Sequence, residues 1–242
     1  MWGSEIRSSL GTVARTGTAG DNEARGREKL LSRIVGYMLQ NGSAAATLRE
    51  LAKAAGSNNR MLLYYFGSTE NLVKEALDAA LLQYPSMKDL DRHISRLDIP
   101  LDERLRETWR AVCREENLPY LRLLFESVGL AVHQPERIPG LLRHFGHDWV
   151  TTATAALQND GLAHGDANAL AREIVALWRG LQLDLLATGD VDGVTAVHDR
   201  AAAAISLRAA SLRAHQGAGA DPLDAVHDDV ADVGGARGVG QG

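Results

Sequence analysis

Residues 47–72, TLRELAKAAGSNNRMLLYYFGSTENL, constrain the fold of this chain more than any other stretch. Thr47 and Glu50 form a T-x-x-E capping box, in which each residue satisfies an otherwise unpaired amide at the start of a helix. Gly56 follows at the position where helices commonly end in the left-handed conformation. Between these signals, apolar residues recur at helical spacing on one face: Leu48, Leu51, Ala52 and Ala55. The pattern predicts a short helix that begins at Leu48 and stops at Gly56.

The same stretch predicts a second short helix and the start of a third. Asn58 can cap the second helix, and Gly67 ends its apolar run. Ser68 caps the next helix, with Glu70 in its first turn. The inward face of the second helix is predicted to consist of Met61, Leu62, Tyr65 and Phe66. Two short helices joined by a glycine-containing turn form a helix-turn-helix, whose second helix is the one that enters a major groove.

This stretch resembles the DNA-binding signature of the TetR family of bacterial transcriptional regulators. The resemblance lies in Leu51-Ala52-x-x-Ala55-Gly56 and in Leu62-x-Tyr64-Tyr65-Phe66-Gly67-Ser68-x-Glu70-x-Leu72. Three positions depart from the usual pattern: Ser57 replaces Val, Leu63 replaces a phosphate-contacting Tyr, and Thr69 replaces a Lys that reaches the backbone. The resemblance implies an all-α fold with an N-terminal helix-turn-helix domain of three helices. A larger C-terminal helical domain would bind a ligand and dimerise.

Composition and charge agree with this class of protein. Aromatic residues make up 5% of the 242 residues and there are only 6 prolines, which favours helices over a β-sandwich or barrel. The net charge of −5 divides unevenly, because residues 1–84 hold 10 Lys+Arg and 8 Asp+Glu, whereas residues 85–242 hold 16 and 23. The first part therefore carries +2 and the second −7. A mildly basic front half suits a module that meets phosphates.

The chain is predicted to contain four segments. These are a flexible N-terminal arm at 1–24 that includes Arg7 and Arg15, a helix-turn-helix DNA-binding domain at 25–84, a ligand-binding and dimerisation domain at 85–215, and a disordered, acidic, Gly-rich tail at 216–242. We predict helices at about 25–41, 48–55, 58–66 and 68–84, a linker or irregular helix at 86–100, and further helices at about 101–116, 119–133, 139–159, 166–188 and 192–215.

The second helix of the helix-turn-helix carries the polar residues that could contact DNA. Asn suits adenine and Arg suits guanine bidentately, and a Tyr hydroxyl can donate to a phosphate. Thr47 lies at a helix start, where hydroxyls and amides bind phosphate. The alternative is that Asn58 only caps its helix and Arg60 is a solvated charge. The predicted DNA-binding residues, including the two positions where the family contacts the backbone, are Thr47, Asn58, Asn59, Arg60, Leu63, Tyr64 and Thr69.

A second group of residues could line a cavity for a small hydrophobic ligand in the larger domain. Their alternative role is ordinary core packing. These residues are all aromatic: Trp109, Tyr120, Phe125, Phe145, Trp149 and Trp178. His144 and His147 lie three residues apart on one predicted helix, but nothing supplies a third ligand, so no metal is predicted. No catalytic or dinucleotide-binding motif is present, and we therefore predict neither a cofactor nor an enzyme.

The chain is predicted to be cytoplasmic and not inserted in a membrane. Its single cysteine, Cys113, cannot form an internal disulfide, which fits a reducing compartment. The N-terminus lacks the uninterrupted apolar core of a signal peptide. The most apolar later stretch, 174–187, contains Arg179, Gln182 and Asp184 and is too short to span a bilayer.

These patterns predict a homodimeric transcriptional regulator that binds a pseudopalindromic DNA operator, as a repressor released by a small-molecule effector. The resemblance implies that ligand shifts the population toward a spacing of the recognition helices that no longer matches adjacent major grooves. One alternative is a helical small-molecule-binding protein or enzyme in which the helix-turn-helix is incidental, and another is a dimeric DNA-binding protein without a ligand. The dimer is predicted to form through apolar rows on the last two helices: Leu170, Ile174, Leu177, Leu181 and Leu185, and Ala202, Ile205, Ala209 and Leu212.

Overall fold

A computed structural model describes residues 19–218, which are almost entirely helical and contain no strand. The all-α fold class is therefore confirmed, with a helix-turn-helix domain followed by a larger helical domain. The first domain comprises α1 Ala19–Asn41, α2 Leu48–Ala55, α3 Asn59–Phe66 and α4 Thr69–Leu82. The second comprises α5 Pro85–Lys88, α6 Leu90–Ile94, α7 Leu101–Val112, α8 Leu118–His133, α9 Leu141–Arg143, α10 Trp149–Asn159, α11 His164–Thr188 and α12 Val191–Ala218. A π-helical turn, His144–Asp148, joins α9 to α10.

Several boundaries differ from the sequence prediction. Helix α1 begins at Ala19, so the last six residues of the predicted arm are helical, while Arg7 and Arg15 lie outside the described residues. Helix α12 extends to Ala218, and the rest of the predicted tail also lies outside them. Helix α7 ends at Val112 and not at residue 116, because the buried Asn117 side chain donates to the carbonyls of Ala111 and Val112 at 2.6 and 3.3 Å. These side-chain bonds replace the next turn of the helix.

One hydrophobic core runs through the helix-turn-helix domain and into the larger domain. Ile34 and Met38 of α1 and Leu77 of α4 belong to the same buried cluster as Tyr120 and Leu121 of α8. A polar contact reinforces this junction, because Glu126 of α8 accepts a hydrogen bond from the Ala44 amide at 2.9 Å. Ala44 lies in the loop between α1 and α2. Helix α8 is therefore packed directly against the DNA-binding domain.

The second core lies within a bundle of α7, α10, α11 and α12. It contains most of the apolar rows that were predicted to pair between two copies. Leu170, Ile174, Leu181, Leu185, Ala202, Ile205 and Ala209 are all buried within the single chain, and Leu177 and Leu212 are half-buried against them. The prediction that these rows form the dimer contact is wrong, because neighbouring helices of the same chain already cover them. A dimer contact would have to use the opposite faces of α11 and α12.

Arg104 and His198 are two buried side chains of this bundle that can carry a charge. Arg104 of α7, with 2% of its side chain exposed, forms an ion pair with Asp160 at the end of α10 and donates to the Ile94 carbonyl at 3.2 Å. His198 of α12 stacks on Trp109, with ring centroids 5.0 Å apart, and accepts a hydrogen bond from the indole of Trp178 at 3.0 Å. Each group ties three helices together.

Candidate DNA interface and ligand cavity

The ends of the three helix-turn-helix elements are set by local hydrogen bonds. Thr47 Oγ1 accepts from the Glu50 amide at 3.3 Å, Asn58 Oδ1 from the Met61 amide at 3.0 Å, and Ser68 Oγ from the Asn71 amide at 3.0 Å. The Thr47 amide donates to the Ala45 carbonyl at 2.8 Å, so that group is satisfied without the expected return bond from Glu50. Gly56, with φ 64° and ψ 40°, makes the left-handed turn that reverses the chain toward α3.

Helix α3 presents one face to the core and one to solvent. Leu62 and Phe66 are buried, and Tyr65 is half-buried. Met61 was predicted to face inward but is 37% exposed, because it lies at the edge between the two faces. The predicted DNA-binding residues lie at the outer surface of this domain: Thr47, Asn58, Asn59, Arg60, Leu63 and Tyr64 are exposed, and Thr69 is half-exposed. All seven residues are therefore accessible to solvent, on α3 and at the starts of the helices on either side of it.

Two arginines of α1 hold the helix-turn-helix in place. Arg33 donates to the carbonyl of Ala55, the last residue of α2, at 2.7 Å. Arg27 donates to the Tyr65 carbonyl at 3.3 Å, lies 4.5 Å from the Phe66 ring centroid, and forms an ion pair with Glu75 of α4. Both arginines donate hydrogen bonds to backbone carbonyls at or near helix C-termini, where these groups have no partner within the helix. Sequence reasoning missed them, since their partners are far away along the chain.

Tyr64 is held by an acidic side chain that the sequence did not indicate. Its hydroxyl donates to Glu23 Oε1 of α1 at 2.7 Å. This hydrogen bond, together with the charge of Glu23, raises the pKa of the Tyr64 phenol. Glu23 belongs to the part of α1 that was predicted as a flexible arm. A carboxylate therefore stands beside the outer face of α3, where it opposes the approach of phosphates.

A cavity of about 130 Å³ lies in the larger domain, next to the end of α4. Four of the six aromatic residues predicted to line a ligand pocket are at its wall: Tyr120, Phe145, Trp149 and Trp178. Leu81 and Leu82 of α4 also line it, so the helix that follows the recognition helix reaches the cavity with its last turn. The polar side chains at the wall include Arg179, Gln182 and the hydrogen-bonded pair His144–Asp148, whose Nδ1 and Oδ2 are 2.6 Å apart.

The other two predicted pocket residues lie elsewhere. Trp109 is completely buried, stacks on His198 and donates to Thr195 Oγ1 at 3.3 Å. Phe125 does not line the cavity, although its ring contacts that of Phe145 edge-to-face at 6.0 Å. The aromatic character of Trp109 is equally suited to a core, and the structure places this side chain in the core of the bundle and not at the cavity. Its alternative role as core is the one that the structure supports.

Within residues 19–218, no group of three or more His, Cys, Asp or Glu residues could hold a metal ion. His144 and His147 lie on the π-helical turn, and His144 is bonded to Asp148. In the same part of the chain, no helix combines the length and apolar character needed to cross a membrane.

The capped helix-turn-helix with an exposed second helix defines a DNA-binding protein of the helix-turn-helix class. Residues 30–76 match the family model described as bacterial regulatory proteins, tetR family. Over these residues the chain is similar to the TetR family of transcriptional regulators, as the sequence resemblance indicated.

One solved structure supports the same fold over most of the chain. A structure from Rhodococcus sp., described as a TetR-family transcriptional regulator, is similar with a TM-score of 0.60 and 17% identity, covering 76% of this chain and 99% of that chain. A second, from Mesorhizobium loti and described in the same way, has a TM-score of 0.49 and 19% identity, covering 78% of this chain and 96% of that chain. Comparison with curated protein sequences gives no match.

Proposed function

We propose that the chain is a dimeric repressor that binds a pseudopalindromic operator and is released by a small-molecule ligand. The observation that supports this most strongly is the exposed outer face of α3, where Asn59, Arg60 and Tyr64 are all accessible on a helix that is capped at both ends. The side chains of Asn59 and Arg60 would read base edges, and the exposed Leu63 would contact a thymine methyl group. Thr47 and Thr69, at the starts of the flanking helices, would meet phosphates.

The proposed ligand response uses two structural links between the cavity and the DNA-binding domain. Helix α4 begins directly after the recognition helix and ends at the cavity wall with Leu81 and Leu82. Helix α8 contributes Tyr120 to the same wall, and its Glu126 binds the loop before α2. A ligand that prefers one position of α4 and α8 would thereby favour one position of α3. This differential affinity is what release from the operator requires.

We predict that replacing Arg60 and Tyr64 has different effects on DNA binding. Arg60→Ala should cost roughly 1–3 kcal/mol and relax the preference at one base pair in each half-site, because a bidentate base contact is lost. Tyr64→Phe should cost on the order of 1 kcal/mol or less, because the hydroxyl must exchange its bond to Glu23 for one to a phosphate. The loss should be equal for all operators, because a phosphate contact carries no sequence information. Genomic fragments retained by the purified protein provide the operator, and titrations against its single-base variants at fixed salt measure both effects.

Arg114→Ala is the control for this experiment. Arg114 follows α7 in the larger domain, and 61% of its side chain is exposed, so its loss changes net charge without changing the recognition helix. It should leave affinity nearly unchanged. Equal weakening of every operator variant by Arg60→Ala would make Arg60 a phosphate contact. If Arg60→Ala and Tyr64→Phe both bind as wild type, α3 does not enter the groove and the proposal fails.

We predict that dimerisation uses the outer faces of α11 and α12. Leu183 is 55% exposed, Leu207 is 73% exposed and Val197 is 42% exposed, although the opposite sides of both helices are buried. A helix pair that is apolar on both sides gains stability from a second covering surface, and two copies of the pair would form a four-helix arrangement about a two-fold axis. Sedimentation at micromolar concentration should show a dimer, and the double substitution Leu183→Glu with Leu207→Glu should shift it to monomer.

Leu97→Glu is the matched control, because Leu97 is 57% exposed in the loop before α7 and lies outside both helices. It should sediment as the wild type does. A wild-type monomer at this concentration would contradict the proposed assembly, and a doubly substituted protein that remains dimeric would place the contact on another surface.

A further inference from the structure

The size of the cavity limits the ligand that the larger domain can accept without rearrangement. Its volume of about 130 Å³ is close to that of a dry protein cavity, about 150 Å³, that holds benzene. The wall is mainly apolar and includes Tyr120, Phe145, Trp149 and Trp178. A single ring or a short branched hydrocarbon fits these dimensions, whereas a long acyl chain does not. The cavity therefore suits a ligand whose body is small and apolar.

Arg179 is the cationic group at this wall. It lies on α11, is half-buried, and its guanidinium is 4.0 Å from the centroid of the Phe145 ring. One terminal nitrogen donates to the Phe145 carbonyl. Within residues 19–218, Arg179 makes no ion pair with a carboxylate, and burial lowers the pKa of its guanidinium with no compensating acid. Its remaining donors suit an anion that would offset this loss of solvation.

Two acidic residues, Asp148 and Asp91, also line the cavity wall. Asp148 is bonded to His144 at 2.6 Å, so its carboxylate already has a partner. Asp91 is exposed to solvent on α6, and its Oδ1 accepts from the Arg92 amide at 2.8 Å. Solvent screens this exposed charge more than it screens the half-buried Arg179. Neither carboxylate is bonded to Arg179, so its guanidinium can still pair with an anionic ligand.

We propose that the cavity binds a small monocarboxylate with a compact apolar body, such as an aromatic acid, with its carboxylate on Arg179. The inference rests on the proposed function, because it names the chemical class of the effector. The ring would lie among the aromatic side chains, and the carboxylate would accept charge-assisted hydrogen bonds from the guanidinium. The head group then sets selectivity, since a neutral or cationic head leaves Arg179 without an anion.

Isothermal titration of the full-length protein with three matched probes tests this proposal. Benzoate, benzamide and benzylamine share one ring and differ in the charge of the head group. Benzoate should bind more tightly than benzamide by on the order of tenfold, and benzylamine should bind most weakly. Arg179→Met, which keeps the apolar stem and removes the charge, should abolish the preference for benzoate, whereas Arg179→Lys should retain part of it.

Arg172→Met is the control, because Arg172 is exposed on the same helix two turns earlier and should keep the wild-type preference. Equal binding of benzoate and benzamide, tighter binding of benzylamine, or no binding of any probe would overturn the proposal. The head-group comparison on the wild type decides the question even if Arg179→Met fails to fold. DNA binding measured on the same preparation distinguishes this proposal from the proposed function. A protein that binds the operator but does not prefer benzoate would refute the carboxylate ligand and leave the DNA-binding function standing.

Discussion

Arg104→Ala is expected to lower the free energy of unfolding by about 3–5 kcal/mol, since it leaves Asp160 without its partner in a nearly buried position. The substitution also removes the donor to the Ile94 carbonyl and leaves space in the bundle core. The substitution thus removes the polar contacts that join α7 to α6 and to the end of α10. Urea denaturation monitored by circular dichroism measures the change, and the midpoint should fall without a large change in slope.

Two further variants distinguish the effect of losing this buried ion pair from the effect of removing any arginine from the helix. Arg110 lies on the same helix, but 59% of its side chain is exposed and its nearest carboxylate is 3.8 Å away. Arg110→Ala should therefore lower the free energy of unfolding by less than about 1 kcal/mol. The double substitution Arg104→Met with Asp160→Asn removes both charges and should be less destabilised than Arg104→Met alone. An Arg104→Ala protein as stable as wild type would show that the ion pair contributes nothing to folding.

The second large effect is expected from His198 as the pH falls. Burial lowers the pKa of His198 from 6.5 to about 4, although Asp199 partly opposes this effect. The unfolded chain therefore takes up a proton below pH 6.5 that the folded chain binds only near pH 4. The stabilisation is complete above this window and is lost as the pH falls through it. The difference between the two pKa values corresponds to roughly 3 kcal/mol.

His198→Gln isolates this effect, because glutamine can still accept from Trp178 but does not titrate. The wild type and the variant share every other titratable group, so acid should destabilise both proteins equally through those groups. Urea titrations at a series of pH values should therefore show a steeper loss of stability for the wild type between pH 6.5 and pH 4. Parallel curves for the two proteins would mean that His198 takes up its proton equally in the folded and unfolded states.

Local signals in the sequence were sufficient for the helix-turn-helix. Thr47, Asn58 and Ser68 each bond to an amide three residues later, and Gly56 adopts the left-handed conformation that a helix end requires. Caps and turns involve groups only a few residues apart, so their chemistry is visible in the order of the side chains. The family match over residues 30–76 confirms the class that this stretch indicated.

Contacts between distant residues were decided only by the tertiary structure. The apolar rows of α11 and α12 have the spacing of a buried face, but periodicity does not say whether that face packs against its own chain or a second copy, and here α7 and α10 cover it. Aromatic identity likewise does not distinguish Trp109 in the core from Trp149 at the cavity. The contact between Glu23 and Tyr64 joins residues 41 positions apart. Helical spacing specifies which side chains share a face, whereas the packing of the helices determines what that face contacts.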